Sequence, residues 1–222
     1  MAALEAAVVV YLRALYYPDG FSVAMKVIDE KILLVELMRE ISTIVMLVAV
    51  GYLAGKLFRD RLAYFLLAFA TWDIFYYLWL KVYIDWPSSL MEWDILFLIP
   101  WTWLGPVLAP ILCSLTMIVF AWVILKGDNR EKFSRVAWLL WISGTVIILL
   151  TFLKDYGSII IGNGFLTDYA NLLRNPDFLK IASNYLPDSF DWRMFFLGEL
   201  LIIAGVVKME KETSPQLKPV SE

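Results

Sequence analysis

Two carboxylic acids stand in apolar runs where an ionised group is costly. Asp73 interrupts Leu62–Ile84, and Glu199 interrupts Phe190–Val207. At about 1.5 Å per residue, each lies roughly 13–17 Å from the end of its run, near the middle of a hydrocarbon layer of about 30 Å. A charge at that depth costs several kcal/mol unless it is paired, hydrogen-bonded or hydrated. Arg39 is the long basic side chain able to descend to them, while Lys81 can turn back to the surface. Cys113, Ser114, Thr116, Ser143 and Thr145 fall close to the same level. Asp73, Glu199 and Arg39 are therefore the candidate catalytic residues, for proton or ion exchange or for paired-carboxyl acid–base work. The competing reading is an Arg–carboxylate network that sets helix register, with hydroxyls satisfying the remaining lone pairs.

A second constellation is aromatic. Trp72, Tyr76, Trp79 and Tyr83 recur with helical spacing and form one stripe. Such a stripe can stack a flat apolar molecule, a quinone or an isoprenoid, or pack against a neighbouring helix or subunit. Gly162-Asn163-Gly164 reads as a loop, because no phosphate-binding motif follows it.

Two scarcities restrict the remaining chemistry. The chain has no histidine and one cysteine, Cys113. Histidine-ligated metals, Ser-His-Asp triads, thiolate zinc sites and intrachain disulfides are thereby excluded. The expectation is a chain with no metal and no cofactor of its own.

These residues need a scaffold, and composition names its class. Hydrophobic residues make up 61% of the 222 and charged ones 18%, against roughly 45–50% and 25% in soluble domains. Mean hydropathy is +0.70, and a net charge of −3 argues against nucleic acid as a partner. The reading is an all-α integral membrane protein of about five spans, over residues 32–56, 62–84, 104–125, 136–153 and 190–207. Residues 1–31 read as an interfacial helix and loop, with a sixth short span over 1–17 as the alternative. Pro100 breaks the charge-free stretch Ile95–Leu125, so residues 89–101 read as a short interfacial helix or a re-entrant piece. Pro106 suits the first turn of the span that follows, and Pro110 is expected to bend it.

Residues 154–189 read as an outer helical loop with two apolar stripes, Phe165 to Leu173 and Phe178 to Tyr185. Residues 208–222 read as a disordered tail. Basic residues crowd the links at Lys56–Arg61 and Lys126–Arg135 and the tail, whereas acids dominate the opposite side. That asymmetry places the N-terminus outside and the C-terminus in the cytoplasm.

The runs Trp72-Asp73-Ile74-Phe75-Tyr76-Tyr77, Trp86-Pro87-Ser88-Ser89-Leu90, Trp93–Pro100 and Trp103–Pro110 resemble a group of uncharacterised bacterial multi-pass membrane proteins. The resemblance covers about a fifth of the chain strongly and implies a bacterial cytoplasmic membrane, but carries no known activity. The function expected from sequence is a cofactor-free accessory or structural subunit of a larger membrane complex, redox or energy-transducing, more a non-enzyme than an enzyme. Its partners would be membrane lipids and other membrane subunits. The alternative is a small membrane-embedded enzyme or carrier for a lipid or quinone-like molecule, using the intramembrane carboxylates.

Overall fold

The computed structural model describes residues 1–18, 20–24, 26, 29–127 and 134–213. The helices are α1 (Ala2–Tyr16), α2 (Glu30–Ala54), α3 (Phe58–Ile84), α4 (Leu108–Lys126), α5 (Arg135–Gly162), α6 (Pro176–Asn184) and α7 (Trp192–Thr213). A 3₁₀ segment, Phe165–Arg174, precedes α6. Two short strands, β1 (Trp93–Ile95) and β2 (Leu104–Pro106), pair antiparallel between α3 and α4, with Asp94 opposite Gly105. Among the described residues three helices, α3, α4 and α5, are long and apolar enough to cross a membrane. Helices α2 and α7 have comparable lengths, but acidic and basic residues divide their apolar stretches.

Local chemistry explains the boundaries. The Asp29 carboxylate accepts from the Lys31 N–H at 2.8 Å and caps α2, and Ser134 caps α5 by accepting from Ala137 at 3.2 Å. Asn175 closes the 3₁₀ segment and opens α6, its side-chain oxygen accepting from the N–H groups of Asp177 and Phe178. Helix α3 stops at Asp85, which adopts the left-handed conformation (φ 53°) that a short polar side chain tolerates. Lys81 turns to the surface there and pairs with the Asp85 carboxylate at 2.7 Å.

Packing brings the basic links together. Ala63, Ala121, Ile124, Ala137, Val206 and Met209 share one buried cluster, so the start of α3, end of α4, start of α5 and end of α7 meet at one end. At the other end Leu104, Tyr156, Ile160, Leu172 and Phe178 form a second cluster beneath the 3₁₀ segment and α6. Helices α5 and α7 approach through paired glycines. A Cβ on Gly144 would lie 2.5 Å from the Gly198 carbonyl oxygen, and one on Gly198 would lie 2.8 Å from the Gly144 oxygen. Small residues of this kind let two backbones touch where apolar side chains gain little by leaving lipid.

Several boundaries differ from the sequence reading. Residues 89–101 hold no helix; Trp93–Ile95 extends to pair with Leu104–Pro106, which itself was expected to open the third span. Pro106 is therefore a strand residue, and α4 begins only at Leu108. Pro110 falls in the first turn of α4, where a missing N–H breaks no hydrogen bond. Helix α5 continues nine residues past the expected 153 to Gly162, because Tyr156, Ile159 and Ile160 are buried under the cap. Residues 208–213 continue α7, while the expected tail over 214–222, Arg130, Lys132 and the Leu173 side chain lie outside the described residues.

Helix α1, read from sequence as interfacial with a short sixth span as the alternative, packs on α3. It lies alongside that helix: Ala2 shares a cluster with Trp72 and Leu47, and Ala6, Val9 and Val10 pack with Tyr76, Tyr77 and Leu80.

The glycine pair gives a direct test of the fold. Gly144→Leu should lower stability by about 1–3 kcal/mol through overpacking against Gly198, read as the unfolding midpoint in detergent. An unchanged midpoint would show that α5 and α7 do not meet at these glycines.

Candidate functional site

Helices α1, α2 and α3 and strand β1 border a cavity of about 410 Å³ in the half of the bundle that holds the hairpin. Its wall combines aromatic rings, among them Phe69, Trp72, Tyr76 and Phe97, with seven charged side chains from α1, α2, α3 and β1. This is the usual construction of a small-molecule site, an apolar lining with a few placed polar groups.

Arg13 and Asp94 form the first charged knot. Arg13 Nη2 donates to Asp94 Oδ1 at 3.1 Å, and the Tyr77 hydroxyl donates to Oδ2 at 3.3 Å. The guanidinium is sandwiched between the Phe21 and Trp86 rings, each centroid 3.8 Å from Cζ. Stacking on two rings compensates Nε and Nη1, which have no hydrogen-bond partner. Burial pushes the Asp94 carboxyl up to about 6, against the Arg13 charge and the hydrogen bonds from the Ile95 N–H and Tyr77.

Arg39 organises the second knot. It pairs with Glu5 of α1, and its Nε donates to Glu36 Oε2 at 2.7 Å. Thr43 donates to Glu5 Oε2 at 3.2 Å. One turn along, both oxygens of Glu40 accept from the Leu98 N–H at 3.1 Å, which fastens α2 to the chain after β1. Glu5, Glu36 and Glu40 were not among the candidate site residues read from sequence. Their signal was present, since carboxylates at 36 and 40 flank Arg39 on one helical face, but Glu5 depended on where α1 would lie.

The candidates Asp73 and Glu199 meet α4 rather than each other. Ser114 donates to Asp73 Oδ2 at 2.8 Å, and Thr116 donates to Glu199 Oε2 at 2.7 Å. Asp73, Arg39 and Cys113 line the cavity, whereas Glu199 lies off its wall. Thus the structure brings Asp73 and Arg39 to one cavity but joins no two of Asp73, Glu199 and Arg39 in an ion pair. The reason is that Glu5 and Glu36 reach Arg39 first. Thr145 also lines the cavity.

The aromatic stripe divides. Trp72 and Tyr76 stack at 6.3 Å and line the cavity. Trp79 stacks on Tyr83 at 5.5 Å, off the cavity wall, and packs in clusters that include α1 residues. Helix α1 thus packs beside Trp72, Tyr76 and Trp79, while Tyr83 stays exposed.

Among the described residues, no three His, Cys, Asp or Glu side chains converge in a group able to hold a metal ion. Comparison of the chain with protein families, with characterised proteins and with solved structures finds no match.

The Arg13–Asp94 pair yields a pH prediction with a definite sign. The folded carboxyl titrates near 6, above its unfolded value near 4. Between these values the folded chain holds a proton that the unfolded chain has lost, so stability falls as pH rises through that window. Asp94→Asn should flatten this part of the profile. Arg13→Met should extend the fall above pH 6 and cost about 3–5 kcal/mol at pH 7, because it leaves an uncompensated buried charge. Unfolding midpoints in detergent between pH 4 and 8 measure both; parallel profiles for wild type and Asp94→Asn would refute the assignment.

Proposed function

We propose that this chain binds a small amphipathic molecule within its helical bundle, as a membrane-embedded carrier or enzyme acting through Asp73. One observation carries the reading: the cavity of about 410 Å³, walled by aromatic rings, on which Asp73 and Arg39 both lie. Its size falls within the range of sites that enclose small organic ligands. The accessory-subunit reading drew support from the aromatic stripe as a docking surface, and α1 of the same chain covers much of that stripe.

The reading includes a placement. Helices α2 and α7 join α3, α4 and α5 as spans, each of their buried carboxylates holding a partner inside the bundle and their outward faces presenting Leu34, Val45, Leu53, Leu200 and Ile203 to lipid. The end that gathers the basic links faces the cytoplasm of a bacterial inner membrane, in line with the excess of Lys and Arg on cytoplasmic loops. The hairpin, the 3₁₀ segment and α6 form the outer face, with the α1–α2 loop beside them.

Two experiments test these statements. In a Cys113→Ala background, Asp177→Cys should react with an impermeant thiol reagent in intact cells, and Lys208→Cys should stay protected; the opposite pattern would invert the topology. Purified in mild detergent, the chain should carry a small lipophilic molecule visible by native mass spectrometry, and Cys113→Trp, which fills the cavity wall, should expel it. A stoichiometric protein partner with no bound small molecule would favour the accessory subunit instead.

A further inference from the structure

The charges on the cavity wall do not balance. Five carboxyl groups line it, Glu5, Glu36, Glu40, Asp73 and Asp94, against two guanidinium groups, Arg13 and Arg39. The guanidiniums are taken: Arg13 by Asp94, and Arg39 by Glu5 and Glu36. Among the described residues neither Asp73 nor Glu40 makes an ion pair; Glu40 has only the Leu98 N–H and Asp73 only the Ser114 hydroxyl. Of these two, Glu40 is buried, while Asp73 keeps accessible surface although it sits midway along α3. Asp73 lines the cavity on the same face of α3 as Phe69 and Tyr76, and Phe97 lies on the same wall.

We infer that the occupant is a lipophilic organic cation, a protonated amine or quaternary ammonium on an apolar body, with Asp73 as its counter-charge. The inference rests on the reading of the cavity as a binding site and adds the class of ligand. A positive charge would satisfy the Asp73 carboxylate and gain from the faces of the surrounding rings, an attraction that strengthens when water is absent. An anion would meet uncompensated carboxylates, and both arginines are already paired. A neutral molecule would leave the Asp73 carboxylate without a counter-charge, whichever donor on the wall it used.

The test uses a matched pair of probes, (naphthylmethyl)trimethylammonium and its neutral isostere with carbon in place of nitrogen, at equal aqueous activity. Cys113, the one cysteine of the chain, lies on the cavity wall, so protection from N-ethylmaleimide reports occupancy. The cation should protect at about tenfold lower concentration than the isostere. Asp73→Asn should bring the cation to the level of the isostere and leave the isostere unchanged. Should Asp73→Asn bind neither probe, Asp73→Glu, which keeps the charge, must retain the preference for the cation; its loss would overturn the inference. Equal protection by both probes in the wild type would also overturn it, while leaving the cavity as a binding site. No protection by either probe would overturn the binding reading itself.

Discussion

A charge buried in a membrane bundle has no water to fall back on, so it must find its partner within the bundle. That constraint governs how this molecule is put together. Arg13 and Glu5, about two turns apart on α1, are anchored to Asp94 and to Arg39 respectively. Those anchors hold α1 alongside α3, where Ala2, Ala6 and Val9 can press against Trp72 and Tyr76. Glu40 does the same for the chain after β1, holding the Leu98 N–H that the hairpin leaves unpaired. Each polar anchor is a weak argument for stability, since a buried pair seldom outweighs its own desolvation. Each is a strong argument for register, because any other placement of α1 strands a charge.

The rest of the bundle is built by a different rule. Helices α5 and α7 meet through Gly144 and Gly198 with backbones in contact, and the gain there is dispersion between closely fitted surfaces. The Phe152, Phe190, Trp192 and Phe195 rings, with centroids 4.9–6.1 Å apart, continue that contact toward the hairpin end. The cavity lies where the two rules meet, with charged knots on the α1–α3 side and apolar α5 on the other. Charged groups held apart by their own partners cannot collapse onto one another, and bulky rings cannot fill the space between them. A void of ligand size follows from this mismatch, with the Asp73 carboxylate on its wall.

Much of the architecture was legible in the sequence because hydropathy and helical periodicity are local properties. The chain announces a helical membrane protein through its composition, and α2, α3 and α4 appear within about four residues of the runs that encode them, while α5 and α7 continue past the ends of theirs. The mid-depth carboxylates Asp73 and Glu199 were equally legible, as polar residues in apolar runs, and so were the hydroxyls of α4 that hold them. The cap over α5 was foreseen as two apolar stripes, since Asn175-Pro176 marks the break between them in any context.

What only the tertiary structure decided is partnership. The sequence shows that Arg39 must be neutralised but offers several acids, and Glu5 wins because α1 lies close by, a fact with no local signature. The strand pairing of Trp93–Ile95 with Leu104–Pro106 is similarly hidden, because three-residue strands have too few alternations to declare themselves. The extra turns of α5 exist because the cap buries them, and Cys113 became a cavity residue only once α1 closed the space beside it. Apolar periodicity can be read from neighbours a turn apart, whereas the pairing of charges and the shape of an enclosed space depend on residues distant in the chain.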